Sequence, residues 1–170
     1  KNNFFKFKKN INPLQQTKDA NEKTNKFKER ELKELSILFL VMNNLDIFRK
    51  NIEQVTEIYF VNKDLEDFNK KLIDYLLAEK FFDRKSLVAE DFDQKHQNII
   101  NLVNSNAPVK IIYKKKNDEE ILLMFNEILK EISKIELKNK IESLENKVSV
   151  NLDENLYSEL LSLRNQLKGS

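Results

Sequence analysis

The sequence has no cysteine, one glycine, two prolines and one histidine among its 170 residues. Without thiols there is neither a disulfide framework nor a thiolate zinc site, which fits a cytoplasmic protein. The single glycine, Gly169, stands next to the end, so no glycine-rich loop leads into a helix and the familiar phosphate-cradling loops are excluded. So little turn material cannot serve a many-stranded fold. No apolar run approaches the roughly 18 residues that cross a bilayer, and no signal-peptide pattern opens the chain. The expected location is the cytoplasm, with no membrane contact. Lys1 rather than a methionine stands first, and the chain is expected to be a piece of a longer protein.

What is present points one way. Apolar residues make up 40% of the chain, enough for one core with a small appendage. Leu, Lys, Glu and Ile are abundant and recur at helical spacing. The expected fold is all-α: a helical bundle, then a long connecting helix, then a C-terminal two-helix hairpin. Charge is unevenly spread. Residues 1–30 carry nine basic and three acidic side chains, a net +6, and the whole chain is +2, which leaves −4 for the rest. A mildly acidic helical body is a poor nucleic-acid binder, because phosphate neutralisation dominates that affinity.

Residues 1–25 lack periodicity and read as a flexible basic linker. There Phe4, Phe5 and Phe7 interleave with Lys6, Lys8 and Lys9, a pattern able to stack on and neutralise single-stranded nucleic acid, although most basic tails are only tails. From about Lys26, "LSILFLVMNN" marks a first helix apolar nearly all round, suited to a bundle centre. A shorter segment follows over Leu45 to Phe60. Leu65, Phe68, Leu72, Tyr75 and Leu76 mark a clearer helix, with Asn62 or Asp64 as its cap. Ser86 is placed to cap an element containing Leu87 and Val88. Phe92, His96, Ile99, Ile100 and Val103 form another amphipathic stretch, which Pro108 stops.

In "NDEE", Asn117 and Glu120 make an Asn-led capping box that opens the longest helix. Ile121, Phe125, Ile128, Ile132 and Ile135 then cluster within about 80° of arc, whereas Leu137, Ile141, Leu144 and Val148 centre about 170° away. One face should meet the bundle, residues 26–136, and the other a terminal helix that Asn151 and Glu154 open. That helix carries Leu152, Leu156, Leu160, Leu163 and Leu167 on one side. The hairpin subdomain is expected over residues 137–168, joined by "VSVN". Tyr157, Leu161 and Arg164 share a side off the Leu stripe, so they are the candidate partner-binding residues, with Leu156 and Leu160 supporting the seam. The plainer reading is that Tyr157 and Leu161 widen that seam.

Chemistry is sparse. No nucleophile, base and metal cluster assemble in the sequence. His96 reads as a packed or surface residue, and the carboxylates sit at helix starts and solvent faces. No catalytic residue, metal ligand or cofactor is expected of this fragment. Lys114, Lys115 and Lys116 form a basic loop, either solubilising or in contact with nucleic acid or an acidic peptide tail.

The order of parts resembles the C-terminal, helicase-binding domain of bacterial DnaG-type DNA primases. The resemblance is carried by "RELKELSILFLVMNN", "YFVNKDLEDFNKKLIDYLL" and "LLMFNEILKEISKIELKNKIESLENKVSVNLDENLYSELLSLRNQLK", and covers about residues 28–168. It implies a bundle and a hairpin on a long helix, the hairpin docking on the amino-terminal collar of the hexameric replicative helicase (DnaB type). It further implies zinc-binding and RNA-polymerising domains upstream, with residues 1–25 as a tether. A single-strand-binding protein's acidic tail is a further expected partner, and direct nucleic-acid binding by the fragment is expected to be weak. Two rival readings remain open: a single-stranded nucleic-acid-binding helical module, and a self-associating helical scaffold.

Overall fold

The computed structural model describes residues 28–114, 116–150 and 153–169. The fold is all-α, with no strand among the described residues. The helix α1, Glu29–Asn43, is the centre of the body: every residue from Glu34 to Met42 is buried, as its all-round apolar sequence requires. It opens where the Lys28 N–H donates to the Glu31 carboxylate at 2.8 Å. At its far end the Asn43 and Asn44 amides fold back onto the carbonyls of Phe39 and Leu40, both at 2.8 Å, and the chain turns.

The segment read as one short element is two helices, α2 (Leu45–Lys50) and α3 (Ile52–Thr56), broken at Asn51. The Asn51 side chain returns to the Ile47 carbonyl at 2.8 Å, the local bond by which Asn competes with helix continuation. The helix α4 (Lys63–Leu77) starts at Asn62, whose side chain accepts from the Asp64 N–H at 2.9 Å. Beyond it the Arg49 guanidinium gathers the turn. It donates to the carbonyls of Phe81 (2.6 Å), Arg84 (3.0 Å), Phe82 (3.1 Å) and Leu76 (3.3 Å). Its fixed fork suits so many acceptors in a way that an ammonium could not.

Ser86 caps no helix. The 3₁₀ turn at Ala89–Asp91 follows Val88 without a side-chain cap. Residues 85–87 instead lace to the α1–α2 corner, the Leu45 N–H reaching the Lys85 carbonyl at 2.9 Å and the Leu87 N–H that of Met42 at 2.8 Å. Asp93 caps α5 (Gln94–Asn106), accepting from the His96 N–H at 3.0 Å, and its other oxygen lies 2.8 Å from His96 Nδ1. His96 is thus a buried, satisfied side chain beside Phe68 and Phe92.

A single-turn helix, α6 (Lys110–Tyr113), which no periodic pattern in the sequence predicts, comes next. Pro108 does end α5, but a residue that cannot continue one helix is well suited to begin another. The Ile111 N–H bonds to the Pro108 carbonyl at 3.2 Å. Tyr113 anchors the turn on α1, edge-on to Phe39, its hydroxyl donating to Asn44 Oδ1 at 3.1 Å.

The long helix α7 runs unbroken over Asp118–Val150. The reciprocal bonds of its capping box are present: Glu120 N–H to Asn117 Oδ1 at 2.9 Å, and Asn117 N–H to Glu120 Oε2 at 3.0 Å. Ile121, Phe125 and Ile132 are buried in the body's core, with Ile128 packed against it. Ile141 and Leu144 are buried in a separate small cluster with Leu160, and Leu137 packs there too. Ile135 belongs to neither cluster. The last helix, α8 (Glu154–Gly169), is capped by Asp153, which accepts from the Asn155 N–H at 2.8 Å. The expected Asn151 cap and Leu152 lie outside the described residues, as does the linker, residues 1–25.

Candidate docking surface

The antiparallel pair α7 and α8 makes the surface. The main packing partner of α8 is α7, and α7 packs on α1 with its earlier half. Helices of this length are marginal in isolation, so α8 depends on the seam. That seam has three buried side chains, Ile141, Leu144 and Leu160, with Leu137, Leu156, Leu163 and Leu167 half-buried around them.

The five hairpin residues singled out above divide accordingly. Leu160 is buried and Leu156 half-buried, both inside the seam. Tyr157 and Leu161 are 49% and 42% exposed and lie one turn apart on the outer side of α8. Arg164, a turn further on, is already engaged: its Nη2 donates to Glu145 Oε1 on α7 at 2.6 Å. It therefore borders the seam with a cation whose partner is half-exposed, and a docking carboxylate would compete with Glu145. Periodicity missed Val150, 88% exposed at the hairpin tip. With Leu156, Ser143, Asn146 and Lys147 it shapes a recess of about 580 Å³. Val150 stands in "VSVN", the expected joint of the hairpin, where it belongs to neither apolar stripe, and the structure extends α7 to include it.

The root of the hairpin is fixed to the body by charge. Arg30 on α1 donates Nε to Glu34 Oε1 at 2.9 Å, and its Nη1 lies 2.6 Å from Glu136 Oε1 on α7. Lys33 pairs with Glu131 at 2.5 Å one turn earlier. Burial works against the Arg30 charge, but its bonds to Glu34 and Glu136 outweigh this and raise its pKa further. Glu34 is wholly buried: Oε1 also accepts from the Val61 N–H at 3.1 Å, while Oε2 has no hydrogen-bond partner among the described residues. These pairs end just before Leu137, where the apolar face of α7 changes sides.

The basic loop is less of a unit than its sequence suggests. Lys114 is exposed, Lys116 is tied to Glu120 at 2.7 Å, and Lys115 lies outside the described residues. No three His, Asp or Glu side chains among the described residues gather in a way that could hold a metal ion, and no described helix is long and apolar enough to cross a membrane. Compared with protein-family models, with curated proteins and with solved structures, the chain matches none.

Proposed function

We propose that this chain is the C-terminal, helicase-binding domain of a bacterial DnaG-type primase. In this reading it is a non-catalytic adaptor that brings the primer-synthesising domains to the hexameric replicative helicase at the fork. The observation that carries the reading is the exchange of faces along α7. The helix commits one side to the body through Ile121, Phe125 and Ile132, and the opposite side to α8 through Ile141 and Leu144. A hairpin so held presents Tyr157, Leu161 and Val150 to solvent. Exposed aromatic and aliphatic side chains on a helix favour a protein partner, with Tyr157 the natural anchor. Helicase as that partner rests on the resemblance of the ordered segments. The linker 1–25 would act as the tether, raising the local concentration of the polymerising domain near unwound template.

The test is co-elution of the 170-residue chain with the replicative helicase hexamer. Complex formation is expected for the native chain and its loss, with an unchanged circular dichroism spectrum, for Tyr157→Glu combined with Leu161→Glu. Retained binding by that double variant would remove the hairpin as the docking element. Tight binding to oligonucleotides that weakens steeply with salt, with none to helicase, would favour a nucleic-acid module instead.

A further inference from the structure

The face of α7 that meets α8 does not stop where α8 does. α8 has 16 residues against the 33 of α7, and Leu163 and Gln166 of α8 line one groove with α7 residues from Leu123 to Lys140. Toward the start of α7 the same side continues uncovered through Ser133, Lys130 and Leu123. The groove, of about 880 Å³, follows it, floored by Leu123, Leu129, Leu137 and Leu163. Leu123 is 59% exposed, although the first-half stripe of the helix buries its neighbours Ile121 and Phe125.

Lysines dominate the rim. Lys130, Lys134 and Lys140 line it, and none is in an ion pair among the described residues. The one carboxylate in the lining, Glu136, is held by Arg30 at 2.6 Å. From Leu123 to Leu137 the floor is about 20 Å long, the length of about 14 helical residues. A floor of that length, its leucines spaced by the polar Asn126 and Ser133 under a lysine rim, fits an amphipathic helix with a few apolar anchors flanked by acidic residues.

We propose that this groove is a second docking surface, separate from Tyr157 and Leu161, and that its occupant is an acidic amphipathic helix of another protein. The chain's own amino-terminal segment is a poor occupant, because its net +6 is repelled by the same three lysines. The proposal stands independently of the helicase reading.

A fluorescein-labelled 14-residue peptide, with Leu at helical spacing and Glu beside each Leu, is titrated into the full chain by anisotropy. A scrambled peptide of the same composition is the control. Saturable binding is expected, at least about tenfold tighter than the scrambled control and weakened at least about tenfold by Lys130→Glu with Lys134→Glu. Amide shifts in a ¹⁵N spectrum should fall on residues 123–140 and 163–166. Leu123→Glu, at an exposed position, should weaken binding without altering the circular dichroism spectrum. No saturation at millimolar peptide, equal affinity for the scrambled control, or shifts confined to other surfaces would overturn the proposal. So would a second copy in the groove, seen as a dimer that Leu123→Glu dissociates in sedimentation. So would occupation by the amino-terminal segment, seen as groove amides that move on Phe4→Ala, Phe5→Ala and Phe7→Ala.

Discussion

At the scale of single residues, the charged side chains sort by how much water they have given up. Glu34 is wholly buried and rests on Arg30, whereas Glu136, the other partner of Arg30, is about two-fifths exposed. Removing the partner of a buried charge is costly, and removing an exposed one is not. Arg30→Met should therefore lower unfolding stability in urea by about 3 kcal/mol, while Glu136→Gln should cost less than about 1 kcal/mol. Equal losses from the two would mean that Glu34 is not isolated from solvent.

The acid response belongs to the same scale. Lys95, through a hydrogen bond and its charge, holds Asp64 below the usual carboxylate range; the His96 N–H does the same for Asp93, and Lys116 for Glu120. Because the folded pKa is the lower one in each case, their contributions are fully present above the unfolded values, 3.8 for the aspartates and 4.5 for the glutamate. They are lost as pH falls through the folded values. A variant carrying Asp64→Asn, Asp93→Asn and Glu120→Gln should lose less of its melting temperature than the native chain between about pH 5 and pH 2. Parallel curves for the two proteins would contradict these shifts.

Among the helices of more than ten residues, α8 has the fewest buried side chains. Its only buried side chain is Leu160. Leu160→Ala should destabilise the hairpin by roughly 2–4 kcal/mol. Hydrogen exchange should then quicken along residues 154–169 while α1 and α4 keep their protection. Uniform acceleration across the chain would mean that hairpin and body unfold together. Asp153→Ala, which removes the cap, should cost α8 about 1 kcal/mol.

Long periodic helices were legible in the sequence because burial imposes spacing. The reversal on α7 and the Asn117–Glu120 box could be read directly, whereas the cap of α4 was narrowed only to Asn62 or Asp64, of which the structure uses Asn62. Short elements were not. In α6 only four residues are helical, and its apolar pair Ile111 and Ile112 faces solvent, 77% and 60% exposed, so no periodic signal existed. Residues 85–87 are placed by backbone bonds to α1's end, which no side-chain pattern encodes. Arg49's carbonyl acceptors are brought together only by the fold. At the hairpin, Tyr157 and Leu161 could be found as residues off the Leu stripe, but the Arg164–Glu145 pair and the lysine-rimmed groove needed the relative placement of two helices.

For the whole molecule, the two apolar clusters of the described residues share one continuous helix. The body contains the central helix, the aromatic contacts and the buried ion pair, and is the stable part. The hairpin is a narrow arm whose outer side chains are spare to its own stability. That division is what an adaptor needs: contact residues that can be occupied by a partner without reorganising the core. Hydrogen exchange of the chain with and without the replicative helicase hexamer tests this most directly. The expected result is slowed exchange confined to residues 137–169, strongest around Tyr157 and Leu161, with the body unchanged. Protection centred on α1 to α5, or none anywhere at saturating helicase, would contradict it.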